Sequence, residues 1–173
     1  KEKVGAILCV GCGSIQPPPP TLNFFDVLGV KPLYFIEIQD IEVAYRKLSK
    51  KIHPDRFRSK KALERRMSLQ WTALVNEARR VLIDPILRAR YLATGKAQAD
   101  ETGSSVEQSF LETIFELQMQ MMTDPSSGIK TAITMQEGNI QSMHEVFMNW
   151  EEGNGVLDSV EEYLGRWKYL NNI

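Results

Sequence analysis

No stretch of this sequence approaches the roughly 18 to 20 consecutive apolar residues that span a bilayer, and no charged start leads into an apolar core and a small-residue cleavage site. A soluble protein without a membrane partner is expected. Charge of one sign is also missing: 21 Lys and Arg stand against 22 Asp and Glu, for a formal net charge of -1 and a pI near 6.2. That balance excludes wholesale binding of nucleic acid, which needs a basic domain to neutralise phosphates. Histidine occurs twice, no glycine-rich loop is spaced to cradle a phosphate, and no nucleophile motif stands at a recognisable spacing, so an enzyme is not expected. Cysteine is limited to Cys9 and Cys12, half of what a closed structural zinc site needs. The alternating pattern of β-strands, internal repeats and long charge blocks are absent too, which leaves helix as the expected structure throughout.

Hydrophobic residues make up 43% of the chain and charged ones 25%, enough for a packed core in one domain or two small ones. Residues 1 to 22 hold Cys9, Cys12, several glycines and Pro17-Pro18-Pro19-Pro20, a run that favours polyproline II and cannot continue a helix. They read as a tail with a stiff spacer. Lys1 opens the sequence, and an upstream segment with any targeting peptide it carried is expected before it. From Asn23 the pattern turns helical. Phe24, Phe25, Val27 and Leu28 form a short apolar cluster ending at Gly29, a helix stop. Asp40 is placed to cap a second helix, in which Ile41, Ala44, Tyr45, Leu48 and Ile52 recur as one buried stripe until Pro54 ends it. A third stripe, Leu63, Met67, Trp71, Leu74, Ala78 and Val81, predicts an antiparallel partner across a loop of about eight residues. Asp84-Pro85 then offers a cap with proline at the first helical position and opens a fourth segment through Leu87, Tyr91 and Leu92 to Gly95.

Lys96 to Ser105 is polar, rich in small residues and without an apolar period, so a domain boundary is expected near residue 100. Beyond it, Phe110, Leu111, Ile114, Phe115, Leu117, Met121 and Met122 suit an amphipathic helix that stops before Asp124-Pro125. A second helix is expected over residues 128 to 151. A third is expected after Gly153-Asn154-Gly155, carrying Val156, Val160, Tyr163, Leu164, Trp167 and Leu170 at helical spacing. The fold class is therefore expected to be all-α, with a tail over 1–22, a helical-hairpin domain over 23–95 and a three-helix bundle over 104–173.

Arg46, Lys47, Lys50 and Lys51 lie at one-turn spacings on the exposed side of the second helix, and this basic face runs straight into His53-Pro54-Asp55. Taken singly, such cations are usually a solvated surface, and a His-Pro-Asp triplet arises by chance in on the order of one chain per hundred of this length. Combined at the tip of a helical hairpin, they are far less readily explained as coincidence. The stretch from Tyr45 through Arg46-Lys47-Leu48-Ser49-Lys50-Lys51-Ile52 to His53-Pro54-Asp55 resembles the J-domain signature almost residue for residue. That resemblance implies that His53, Pro54, Asp55, Arg46, Lys47, Lys50 and Lys51 contact a DnaK-type heat-shock chaperone and promote its ATP hydrolysis. Complementary charge can steer the basic helix toward an acidic surface. Proline fixes one backbone angle, while His53 and Asp55 present short polar groups to the partner. The alternative for these residues is that His53 and Asp55 merely terminate a helix.

Asn76-Glu77-Ala78, Val81-Leu82, Asp84-Pro85 and Arg88-Ala89-Arg90-Tyr91-Leu92 carry the likeness beyond what most J-domains share. His53-Pro54-Asp55-Arg56-Phe57, Phe110-Leu111, Glu116-Leu117 and the run from Arg166 to Leu170 fit as well. From about Asn23 to its end the chain resembles the HscB family of J-domain co-chaperones in iron-sulfur cluster assembly. The resemblance implies a second partner, the scaffold protein on which clusters are built, held by the three-helix bundle and delivered to the chaperone as cargo. Carried over by position, the scaffold-binding residues are Leu111, Phe115, Glu116 and Met119 on the first bundle helix and Tyr169 on the third. Met119 stands where a carboxylate is familiar, and Glu112 where an apolar residue is. The helix itself has apolar residues to spare: Phe110, Ile114, Leu117 and Met121 form a core stripe, which leaves Leu111, Phe115 and Met119 on a neighbouring face with Glu116 at its edge.

Two thiolates two residues apart, as in Cys9-Val10-Gly11-Cys12, can chelate one metal. Some eukaryotic members of the family resembled carry two such pairs before the J-domain, which makes Cys9 and Cys12 a candidate zinc site; an unbound tail with two thiols is the alternative. No cofactor is expected to be required. Two other readings of the whole chain stay open on the sequence: a metal-binding or redox protein using Cys9 and Cys12, and a J-protein serving another client. The tail's likeness to eukaryotic forms points to the mitochondrial matrix, with a bacterial-type cytoplasm as the alternative.

Overall fold

A computed structural model describes residues 7–98 and 106–173. Regular structure among them is helical: α1 Phe24–Leu28, α2 Ile38–Ile52, a 3-10 turn at Pro54–Phe57, α3 Ala62–Ile83, α4 Pro85–Thr94, α5 Gln108–Thr123, α6 Pro125–Glu151 and α7 Val160–Leu170, with one isolated β-bridge between Leu8 and Ile15. The fold is all-α, as expected. The chain divides into two compact units, Lys1–Arg88 and Ala89–Ile173. This division falls inside α4, ahead of the polar stretch read as the boundary, of which residues 99–105 lie outside the described residues. No described helix is long and apolar enough to cross a membrane.

In the first unit, Asn23 caps α1 by accepting the Asp26 N–H at 2.9 Å, and Gly29 stops it with φ at 71°. α2 starts at Ile38, ahead of the Asp40 cap that the sequence suggests. Glu37 takes the N-cap position through its backbone alone, and Asp40 becomes the acid of the first turn, where it complements the positive helix end. α1 and α2 both pack on α3, and Phe25, Ile41, Leu48, Ile52, Phe57, Trp71, Val75, Ala78, Val81 and Leu82 bury the core between them. The inward stripe of α3 is rotated from the predicted one. Trp71, Ala78 and Val81 are buried, but Leu63 is 61% exposed and Leu74 half-buried, while Ser68, Val75 and Leu82 face inward. Ser68 explains the rotation, since its hydroxyl donates to the Ile52 carbonyl at 2.6 Å inside the core, and a count of apolar residues cannot register such a position.

The segment expected to be a tail is packed down. Leu8 bridges Ile15, the Gln16 N–H donates to the Ile7 carbonyl at 2.8 Å, and the Trp71 indole donates to the Gln16 carbonyl at 2.7 Å. Ile15 is 2% exposed, and burying such a side chain contributes roughly 1.5–3 kcal/mol. Trp71 therefore does two jobs, filling the core with its ring and holding the N-terminal segment with its N–H.

In the second unit, α6 begins at Pro125 rather than near residue 128. Asp124 caps it by accepting the Ser127 N–H at 3.1 Å, and Pro125 is preset for the first helical position. α7 begins at Val160 rather than directly after Gly155. Gly153 turns the chain at φ 80°, Val156 stays exposed, and the Val160 N–H closes a turn on the Leu157 carbonyl before the helix proper. Ile114, Leu117, Met143, Phe147, Val160, Leu164 and Leu170 fill the core. Asn139 donates to the Tyr163 carbonyl at 2.9 Å and ties α6 to α7.

Candidate interaction sites

Pro54 disfavours helix at the residue before it, so α2 ends at Ile52 and His53 takes an extended backbone, φ -53° and ψ 129°. The chain then makes one 3-10 turn and re-enters helix at Ala62. Three anchors hold this apex from below. Phe57 is buried, Ser68 binds the carbonyl of Ile52, and the Arg56 guanidinium donates to the carbonyl of Lys50 at 3.0 Å. His53 and Asp55 remain outside, with side chains 58% and 61% exposed. The Asp55 N–H donates to His53 Nδ1 at 3.3 Å, which leaves the proton of a neutral ring on Nε2. The Asp55 carboxylate lies 3.5 Å from the same Nδ1 and 3.1 Å from Arg58 Nε. The result is a rigid loop presenting an imidazole and a carboxylate in fixed relation.

Arg46, Lys47, Lys50 and Lys51 are all exposed on α2. Among the described residues only Arg46 of these four has a carboxylate in ion-pair range, Glu42 at 4.0 Å, and Glu42 is claimed more closely by Arg79 at 2.5 Å. Lys50 and Lys51 sit in the last turn, where cations suit the negative end of the helix. The structure therefore brings all seven residues expected to meet a chaperone toward the apex end of the α2–α3 hairpin, Pro54 half-buried and the other six exposed, with little carboxylate set against the α2 cations among the described residues.

On the second unit, Leu111, Phe115 and Met119 are 37%, 64% and 49% exposed along α5, while Ile114 and Leu117 are buried. Glu116 is exposed beside them, and Gln108, Leu111, Glu112, Phe115 and Glu116 line a shallow depression. Tyr169 is 42% exposed on α7, its ring set edge-on to Phe110 with centroids 6.4 Å apart. It meets the neighbour of Leu111 rather than the stripe directly. The expected residue list left out Met122, which is 80% exposed three residues beyond Met119 and lengthens the apolar stripe; its spacing was the available signal. α5 carries glutamates and no Lys or Arg, so the rim of this surface is acidic.

Cys9 and Cys12 lie on a tight turn, with the Cys9 N–H on the Ser14 carbonyl at 2.8 Å, the Gly13 N–H on the Cys9 carbonyl at 2.9 Å and Gly13 at φ 70°. Hydrogen bonds to the side chain and backbone N–H of Ser14 hold the Cys12 thiol below its usual range, with Cys9 adding to the effect. Among the described residues no group of three or more His, Cys, Asp or Glu is gathered to hold a metal. The pair supplies two ligands where a closed zinc site takes four.

With this geometry in place, the chain can be set against known proteins. A family model of the DnaJ domain matches residues 23–91. A Bordetella avium protein, "Co-chaperone protein HscB homolog", is 38% identical over 91 residues, 51% of this chain and 54% of the relative. The mouse "Iron-sulfur cluster co-chaperone protein HscB" is 26% identical over 170 residues, 95% of this chain and 71% of the relative. The crystal structure of human co-chaperone protein HscB superposes with a TM-score of 0.78 at 22% identity, covering 97% of this chain and 86% of that one. Residues 23–91 are a DnaJ domain, and the chain as a whole is similar to HscB co-chaperones. It matches about half the length of the bacterial relative. A second solved structure, HscB from Vibrio cholerae, shares the fold with a TM-score of 0.66 at 19% identity, covering 87% of this chain and 92% of that one.

Within the J-domain, the match begins at the α1 cap, Asn23, and ends at Tyr91 in α4. Arg88, buried just before that end, donates to the Leu82 carbonyl and lies over the Tyr34 ring at 5.4 Å, so the likeness read in Arg88-Ala89-Arg90 includes a structural arginine.

Proposed function

We propose that the chain is a co-chaperone that stimulates the ATPase of a DnaK-type heat-shock chaperone and brings to it the scaffold protein of iron-sulfur cluster assembly. The observation that carries this reading is the exposed His53-Pro54-Asp55 apex, braced from below and flanked by the unmatched cations of α2. Positive charge on Arg46, Lys47, Lys50 and Lys51 speeds encounter with an acidic surface. The fixed loop then offers His53 and Asp55 as hydrogen-bonding groups that need little further ordering on binding. ATP is hydrolysed on the partner; this chain supplies no reacting group. Leu111, Phe115 and Met119, with Glu116 and Tyr169, hold the scaffold by apolar burial inside an acidic rim. No cofactor takes part, and Cys9 and Cys12 serve as at most two ligands of a zinc shared with further groups. The compartment we assign is the mitochondrial matrix. The likeness to the mouse relative runs over 95% of the chain, against 51% for the bacterial one, which supports a eukaryotic-type protein.

Replacing His53 with glutamine tests the apex: stimulation of the chaperone's ATPase should fall to the unstimulated level, and undiminished stimulation would discard the loop mechanism. Leu111→Ala with Phe115→Ala tests the other surface, because the pair should lose capture of the scaffold protein while ATPase stimulation by the chain alone is kept.

A further inference from the structure

The α2 face has a neighbour on α3 that core packing does not explain. From Arg56 to Asn76 the chain carries six cations and one carboxylate, Glu64, whose side chain is occupied by the Lys61 N–H at 3.3 Å. Arg56 and Arg58 serve the apex, on the Lys50 carbonyl and Asp55. Lys60, Lys61, Arg65 and Arg66 are exposed at the N-terminal end of α3, where the helix dipole opposes positive charge; Arg65 donates to the Lys60 carbonyl at 3.0 Å, and the dipole gives no reason for the cluster as a whole. On the same outward face Leu69 is 59% exposed, with Arg65 and Arg66 one turn before it and Ala73 one turn after. A large apolar side chain set among arginines is the anchor-and-rim arrangement of a protein contact.

Two hydrogen bonds show how this face meets α2. Tyr45 donates to Asn76 at 3.0 Å, and Ser68 donates to the Ile52 carbonyl at 2.6 Å, which fixes the antiparallel register. Asn76 and Leu69 are two turns apart on one side of α3, so Leu69 lies along the seam opposite the last turns of α2, those that carry Arg46 and Lys50. We propose that the chaperone-docking surface continues across this seam, and that Leu69, Arg65 and Arg66 receive an acidic segment of the chaperone bearing an exposed apolar side chain. This rests on the co-chaperone reading. A bare phosphate backbone offers nothing to Leu69, whereas an acidic protein surface already bound to α2 reaches it without a gap.

The test is the variant Leu69→Ser, Arg65→Glu, Arg66→Glu in the full chain, with helicity checked by circular dichroism; Leu69→Ser alone serves if the triple variant loses helix. The concentration giving half-maximal stimulation of the DnaK-type chaperone's ATPase should rise about tenfold, with the maximum retained. For Leu69→Ser alone the rise should be about threefold. A variant that matches the wild type, while His53→Gln is inactive, removes the α3 surface and leaves the co-chaperone reading standing. Full stimulation by His53→Gln, or none by the wild type, removes both. Unchanged ATPase with lost binding to phosphatidylserine vesicles would assign the patch to a membrane and overturn the proposal.

Discussion

The groups that brace the apex are different from those it exposes. Phe57, Ser68 and Arg56 hold the turn, and His53 and Asp55 are left to face solvent. This separation makes Ser68 testable by itself. Ser68→Ala removes the donor to a buried carbonyl, which costs about 1–3 kcal/mol; amide hydrogen exchange in the last turn of α2 should quicken while α5 to α7 stay unchanged. The same contrast explains what could be read from the sequence. His53, Asp55 and the α2 cations were legible because their chemistry lies in their residue types and spacing. Ser68 and the Trp71 bond to the Gln16 carbonyl were not, since a serine looks like surface and an indole N–H gives no hint of a partner 55 residues away.

Most helix ends with a chemical mark stand where expected, the Asp124-Pro125 start of α6 being the exception, and ends without one were missed. Asn23, Gly29 and Asp84 cap by side chain or by positive φ and stand where expected. Glu37 and Ser159 make no side-chain cap bond, and the starts of α2 and α7 were misplaced accordingly. Between α5 and α6 the controlling residue is Gly128. A Cβ there would sit 2.9 Å from Met121 Cα and closer still to its Cγ. Alanine gains about 1 kcal/mol in helix propensity, but overpacking against backbone costs about 1–3 kcal/mol, so Gly128→Ala should loosen the α5–α6 hairpin. Faster hydrogen exchange confined to those two helices is the expected result. Slower exchange would mean that Met121 moves aside freely.

Over the whole molecule, a net charge of -1 conceals a division: residues 1–88 hold 16 Lys and Arg against 9 Asp and Glu, whereas residues 89–173 hold 5 against 13. One half suits an acidic partner and the other a basic-rimmed one, so the two partners of the proposed function would be discriminated by sign before any close contact forms. Association with the chaperone should therefore slow steeply as salt is raised from about 0.05 to 0.5 M, the range over which the screening length shrinks. A flat salt dependence would mean that the basic face takes no part in encounter. The most direct measurement is steady-state ATP hydrolysis by a cognate DnaK-type chaperone with the chain alone, with the chain and the scaffold protein, and with the His53→Gln chain. Stimulation by the chain, a further rise when scaffold is added, and none with His53→Gln is the predicted result; equal rates in all three would contradict it.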